Sequence, residues 1–250
     1  LSQGADFPRV TWAHSPRVDQ PGRDGHGLCS NFEGYFTDLR AGIECFARGS
    51  GAVDTSGWRC CLEGAHAHAG RASDHSCRPH CTWRIPLELH LERLDEVSAR
   101  VLSVQCGGRV GLATGGAALA PPLGLAVPDK SWHAMRDGFG ELGSWLSLVP
   151  GSLGKMGMDI SLMTQQGVEK MRLRGRAASS AMPHKKNPIL AELLVTLSRY
   201  NAVQLGGMHQ ALIHEQERSG ASWALEWMIL PAMLHCTTRG LSAAQELLAQ

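Results

Sequence analysis

The sequence predicts an all-α protein, a bundle of long helices whose first third is irregular or disordered. Three observations carry that reading. After Trp83, apolar residues recur at spacings of three and four over long stretches, the period of a single buried helix face. No alternating strand pattern of comparable strength appears there. Before Trp83 neither period is sustained. Leu1–Thr82 is rich in Gly, Arg, His, Ser and Cys, and turn formers recur in it, as from Gln20 to Gly27. The chain therefore divides into a low-order segment over 1–82 and a helical-bundle domain over 83–250, with the last helices of the bundle cut short.

Six of the eight cysteines lie in the first segment: Cys29, Cys45, Cys60, Cys61, Cys77 and Cys81. A disulfide framework needs an oxidising compartment, and nothing else in the chain points to secretion. A metal-binding arm would use His66, His68, His75, Cys77, His80 and Cys81. Their spacings are not those of zinc frameworks, whose paired ligands stand two to four residues apart. A disordered arm is the third possibility, against which stands the content of Cys and Trp.

The helices follow in order. Arg84–Gln105 carries Leu91, Leu94, Val97, Val101 and Val104 on one stripe, with Glu92, Arg93, Asp95 and Glu96 on other faces. Gly107 and Gly108 end it. Gly111–Pro128 is a connection rich in small residues and Pro, with room for a short helix. Ser131 reads as the N-cap of a long helix. That helix carries Phe139, Leu142, Leu146, Val149, Leu153, Met156, Ile160 and Met163, spaced alternately three and four. Pro150 lies inside it and predicts a kink or break. Glycines at 140, 143, 151, 154 and 157 weaken the helix but let a neighbour approach closely. A further helix runs from Ile189 to about Glu215, with Leu190, Leu193, Leu197, Tyr200, Leu205, Met208 and Leu212. The last runs from Ser222 to about Leu248, through Pro231.

Bulk properties exclude several classes. A formal charge of +1 with 19% charged residues gives no argument for nucleic acid. No stretch is apolar and long enough to span a membrane, and no signal peptide is visible, so a cytoplasmic enzyme is expected. Apolar stripes on nearly every helix exceed what one small bundle can bury, which favours association.

The chemistry concentrates between Ala177 and Glu192. Small residues open this stretch, then Ser179 and Ser180, then Lys185 and Asn187 at alternating positions, then Pro188 where a helical pattern begins. A cation, an amide side chain and unpaired backbone N–H groups at a helix start suit a carboxylate. SSAMPHKKNP resembles the signature loop of the fumarase/aspartase superfamily, usually GSSxMPxKxNP, except that Ala178 replaces the leading glycine. WRIPLELHLERLDEV, VQCGGRVG, WHAMRDGFGEL, LVPGSLGKMGMDISLM and HEQERSGASWALEWMILPAM look like the 3-carboxy-cis,cis-muconate cycloisomerases of that superfamily. The resemblance covers nearly all of 83–234. Two of its elements, Trp132-His133-x-x-Arg136-Asp137 and Glu217–Trp227, best separate it from the adenylosuccinate lyases, the runner-up.

The resemblance implies a long-helix bundle, homotetramers and active sites shared between subunits. It implies a small tricarboxylate substrate and addition of a carboxylate to a carbon–carbon double bond, with no metal and no organic cofactor. By position Ser179 matches the catalytic serine, and Ser180 is its adjacent alternative. Lys185 and Asn187 match the carboxylate-binding pair, and Arg218 a substrate-binding arginine. Glu192, with Met182 and Pro183, matches the residues that support the loop. Plainer roles stay open. Lys185 could be a solvated charge, Glu192 a surface carboxylate, and Arg218 a structural partner of Glu217 or Glu226. Trp223 and Trp227 would be buried anchors, and His184 and His214 satisfied structural histidines.

Three departures stand out. Arg174, Arg176, Ala177 and Ala178 replace the glycines that usually precede the serines. The superfamily's HxGATSQD element is absent. The chain ends at Gln250, where the family continues with more helices. Residues 65–81, back-translated and read one nucleotide later, permit RTRMQAALPITVADRIA, which resembles the family segment preceding the Trp-Arg-x-Pro-Leu-Glu element. Out-of-frame translation of the first third is therefore the leading account of it. A chain lacking the Thr-Ser element is expected to be weakly active or inactive.

Overall fold

The computed structural model describes residues 34–46, 79–105, 116–165, 173, 177–178, 186–216 and 220–249. They form an antiparallel stack of long helices. In chain order these are α1 (34–46), α2 (Pro79–Val101), the short α3 (Gly116–Leu119), α4 (Asp137–Met163), α5 (Ile189–Gln210) and α6 (Gly220–Leu248). A 3-10 turn, Pro121–Leu123, follows α3, and two short strands precede α5.

Helix α1 is the first difference from the sequence reading, which places no regular element before residue 82. Phe36, Leu39, Ile43 and Phe46 are spaced three, four and three apart, and all are buried in the main core. Gly42 lets α1 lie against α6, since a Cβ there would stand 3.1 Å from Leu241 Cδ1. Gln245 Nε2 donates to the Gly42 carbonyl at 3.1 Å. Arg40 pairs with Asp95 of α2 on the outside. Only four buried apolar positions over thirteen residues make this period short, and it is lost in the composition around it.

Helix α2 starts earlier and ends earlier than its apolar stripe predicts. Beyond Val101 the chain turns away to meet the connection: Val104 N–H donates to Ala126 O at 2.8 Å and Ala126 N–H to Leu102 O at 3.0 Å. Val104 thereby leaves the helix stripe and packs with Ala120 and Leu125 in a satellite core. Gln105 is buried, donates through Nε2 to Ser131 Oγ at 2.7 Å, and accepts from Trp132 N–H at 3.0 Å. Ser131 is thus engaged by Gln105 and does not cap α4. The N-cap is Arg136, with no side-chain cap bond.

Helix α4 is the central element. Its predicted stripe is buried from Phe139 to Ile160 without exception, and Met163 is half-buried at the end. Trp83 and Trp145 tie it to α2, donating to Asp159 Oδ2 at 2.7 Å and to the His90 carbonyl at 2.9 Å. The helix stays continuous through Pro150. Proline has no N–H for the Leu146 carbonyl, so another donor is needed. Asn201 of α5 supplies one through Nδ2 at 2.7 Å, and Thr237 of α6 another through Oγ1 at 3.2 Å.

On α5 the buried line is Ala191, Leu194, Asn201 and Met208. The leucines at 190, 193 and 197 are half-buried, and Tyr200 is exposed. Small residues face α4 because its glycines bring the two backbones together. A Cβ on Gly154 would lie 2.6 Å from Ser198 Cβ, and one on Gly157 would lie 2.5 Å from the Ala191 carbonyl oxygen.

Candidate active site

The signature stretch is mounted between the end of α4 and the start of α5. Strands β1 (Ala177–Ala178) and β2 (Lys186–Asn187) pair antiparallel, Ala177 opposite Asn187 and Ala178 opposite Lys186. This brings together the two ends of segment 179–185. Leu173, on the way in, is buried in the main core and anchors the incoming limb.

Asn187 is half-buried, and Pro188 is the N-cap of α5. Glu192 is the first residue whose N–H closes a helical bond here, to Pro188 O at 3.0 Å. The preceding N–H groups and the positive end of the helix therefore lie beside Asn187, an arrangement that favours a bound carboxylate. Glu192 itself is exposed in the first turn, as the plainer reading of it expected. Ser179, Ser180, Met182, Pro183, Lys185 and Arg218, with His184, lie outside the described residues. Of the predicted site, the structure thus places Asn187 and Glu192, and most of the length of α4 separates them from the bundle's other end.

That other end holds the second resembling element. Arg136 and Glu226 form a buried two-pronged ion pair, with Arg136 Nε donating to Glu226 Oε2 at 2.9 Å and its terminal nitrogen donating to Oε1. The guanidinium also lies over the Trp132 and Phe139 rings, 5.0 and 4.0 Å from their centroids. Both carboxylate oxygens of Glu226 are engaged by Arg136. Burial, helped by the Arg136 charge, pushes the His214 pKa down. Among the described residues neither of its ring nitrogens makes a well-formed hydrogen bond, while the Ala211 backbone acts to raise its pKa. Trp223 stacks obliquely on Trp227 with centroids 4.9 Å apart, and Trp227 is 47% exposed, so it is no buried anchor.

A family profile described as a lyase matches residues 80–200, spanning α2, α4, the hairpin and half of α5. This stretch is similar to that lyase family. The 3-carboxy-cis,cis-muconate cycloisomerase of Pseudomonas aeruginosa is 40% identical over 158 residues, 59% of this chain and 34% of that lyase-family protein. The N-acetyl-S-(2-succino)cysteine lyase of Dickeya dadantii is 33% identical over 160 residues, 60% of this chain and 35% of its own. The crystal structure of the 3-carboxy-cis,cis-muconate lactonizing enzyme from Pseudomonas putida superposes with a TM-score of 0.71 at 28% identity. That superposition covers 89% of this chain and 51% of the other. Matched regions thus span from a third to a half of these lyase-family relatives. The fold match exceeds the sequence match, and it extends upstream of residue 80, where α1 lies. Among the described residues no group of three or more His, Cys, Asp or Glu is placed to hold a metal, and no helix is long and apolar enough to cross a membrane.

Proposed function

We propose that this chain carries the signature-loop part of a cycloisomerase that closes 3-carboxy-cis,cis-muconate to 4-carboxymuconolactone, in the protocatechuate branch of the β-ketoadipate pathway. The observation that carries the reading is the hairpin. Its strands bracket segment 179–185 next to the N-terminus of α5, in a chain 40% identical over 158 residues to such an enzyme.

The reaction adds a carboxylate to a double bond while the neighbouring carbon gains a proton. Negative charge builds on the carboxylate attached to that carbon, so the site needs a proton donor and cations. Ser179 delivers the proton; the loop N–H groups and Lys185 stabilise its alkoxide in the reverse elimination. Lys185 and Asn187 hold a substrate carboxylate, with Ser180 and Arg218 as further substrate-binding residues. Glu192, Met182 and Pro183 support the loop. The tricarboxylate is the only small-molecule partner, with no cofactor. The protein works in the cytoplasm as a homotetramer whose sites are completed by neighbouring subunits, without nucleic acid or membrane.

The division at 82/83 belongs to the same proposal. Out-of-frame translation remains the account of the first third, while the packing of α1 in the main core supports an in-frame stretch at 34–46. Resequencing the gene checks this directly, since one uninterrupted frame would end the idea.

The functional test is an absorbance assay for loss of 3-carboxymuconate, with titration calorimetry of the same tricarboxylate alongside. Slow turnover is expected, lost in Ser179→Ala, together with binding that is weakened at least tenfold in Lys185→Ala. Turnover indifferent to Ser179→Ala, or no binding at all, sinks the reading. The similarity to the N-acetyl-S-(2-succino)cysteine lyase supports a second reading, a β-elimination that releases fumarate. Release of fumarate from a succinyl thioether, or from adenylosuccinate, would select it. A non-enzymatic helical assembly with a metal-binding arm is the third. Of its six ligands, His66, His68, His75 and Cys77 lie outside the described residues, and His80 and Cys81 stand in the first turn of α2. Stoichiometric zinc in purified protein would favour it.

A further inference from the structure

From the contact between α4 and α5 we infer that Gly157 is a positioning residue for the signature hairpin. The inference rests on the functional reading above only for its consequence in catalysis; its geometry stands alone.

One stem of the hairpin, β2, continues directly into α5. β2 ends at Asn187, and α5 begins two residues later. Ala191, in the first turn of α5, is fully buried. Its carbonyl oxygen lies where a Cβ on Gly157 would be, 2.5 Å away, and Leu194 Cβ would stand at 3.0 Å. A backbone carbonyl in a helix cannot swing aside as a side-chain tip can. Any side chain at 157 therefore drives the start of α5 away from α4, and Asn187 moves with it.

The other glycines of α4 set a graded comparison. Gly154 faces Ser198, two turns further along α5, at 2.6 Å from its Cβ. Gly143 faces Met208, near the far end of α5, at 3.1 Å from its Cγ, a flexible atom. Gly151 meets nothing within 4 Å. Only at 157 does the obstacle belong to the first turn of α5. The absence of a side chain at 157 thus sets where the carboxylate-binding end of α5 sits, while the other glycines chiefly set packing.

The test is amide hydrogen exchange in the full chain, read at Ala177, Ala178, Asn187 and Glu192. The variants are Gly157→Ala, Gly154→Ala, Gly143→Ala and Gly151→Ala. Exchange at these amides is expected to rise at least tenfold in Gly157→Ala, less in Gly154→Ala, and within twofold of the parent in the other two. Equal effects at 157 and 143 would overturn the inference, because they would mark a general loss of stability. If Gly157→Ala does not fold, the order of 154 against 143 decides in the same way. Kinetics add a second readout wherever the parent turns over. Gly157→Ala should lower kcat and raise KM together at a temperature where it is fully folded, and Gly151→Ala should change neither. A parent that neither turns over nor binds the tricarboxylate would count against the proposed function and leave the exchange result to judge Gly157.

Discussion

Two buried polar residues show how much single side chains decide in this bundle. His90 is 4% exposed, lies within 3.0 Å of Ser152 Oγ through Nε2, and has the Arg93 guanidinium at 3.1 Å from Nδ1. Burial first, then the Arg93 charge, lower its pKa to about 4, against a backbone hydrogen bond to Leu148 that raises it. The unfolded chain takes up this proton near pH 6.5, the folded chain near 4. The contribution is therefore complete above about pH 6.5 and is lost as pH falls toward 4. Urea unfolding at pH 7 and pH 4.5 should show a loss on the order of 2 kcal/mol from this group, smaller in His90→Gln. Asn201 makes a second case. It is fully buried and, with Thr237, replaces the bond that Pro150 cannot give to Leu146 O. Asn201→Ala should cost about 2–4 kcal/mol, from the loss of the shorter hydrogen bond to the Leu146 carbonyl and from a cavity. In a Pro150→Ala background the helix regains its own donor, so the same substitution should cost about 1 kcal/mol less. A double-mutant cycle measures that difference, and a cycle that closes to zero would refute the compensation.

At the scale of elements, legibility follows the size of the side chains at each contact. The stripe of α4 was plain because large apolar residues repeat there and all face inward. On α5 the same rule misleads by one position: Leu190, Leu193 and Leu197 are the eye-catching residues, while Ala191, Leu194 and Asn201 make the tight contact. What moves the interface is glycine on the facing helix, which rewards small partners and pushes leucines to the flanks. Ser131 was misread as a cap for a related reason, since its partner Gln105 stands 26 residues away and no local pattern announces it. The signature motif was legible down to its helix start, yet the pairing of Ala178 with Lys186 has no trace in the local sequence. Helix α1 was missed, and it offers a clear energetic contrast. Ile43 is completely buried between α1 and its neighbours, so Ile43→Ala should cost about 2–4 kcal/mol. Arg40, in an exposed pair with Asp95, should cost under about 1 kcal/mol on substitution by alanine. Chemical denaturation of both variants tests whether α1 belongs to the cooperative unit. Equal, near-zero costs would mean that it does not.

The whole molecule leaves apolar surface uncovered, and that surplus has an arrangement. Val203 of α5 is 75% exposed, Ile213 just after it 73%, and Met228 of α6 77%. Leu148, Met158 and Leu162 add an outward line along α4, with Gly151 open among them. Scattered exposed leucines are ordinary on a protein surface, but lines of them along parallel helix faces are not. Covering a large apolar side chain is worth about 1.5–3 kcal/mol, so a few such positions outweigh the cost of bringing two chains together only when several are covered at once. Association through whole helix faces meets that condition, and contact at one residue does not. The homotetramer proposed above is the arrangement that would cover them. Sedimentation at tens of micromolar should therefore find an oligomer. Val203→Glu combined with Met228→Glu should shift it toward monomer with helix content unchanged by circular dichroism, because neither side chain takes part in the buried core. Any turnover should fall in step with the oligomer fraction, as sites completed by neighbouring subunits require. A parent chain that sediments as a monomer across this range would remove the assembly and, with it, the shared site.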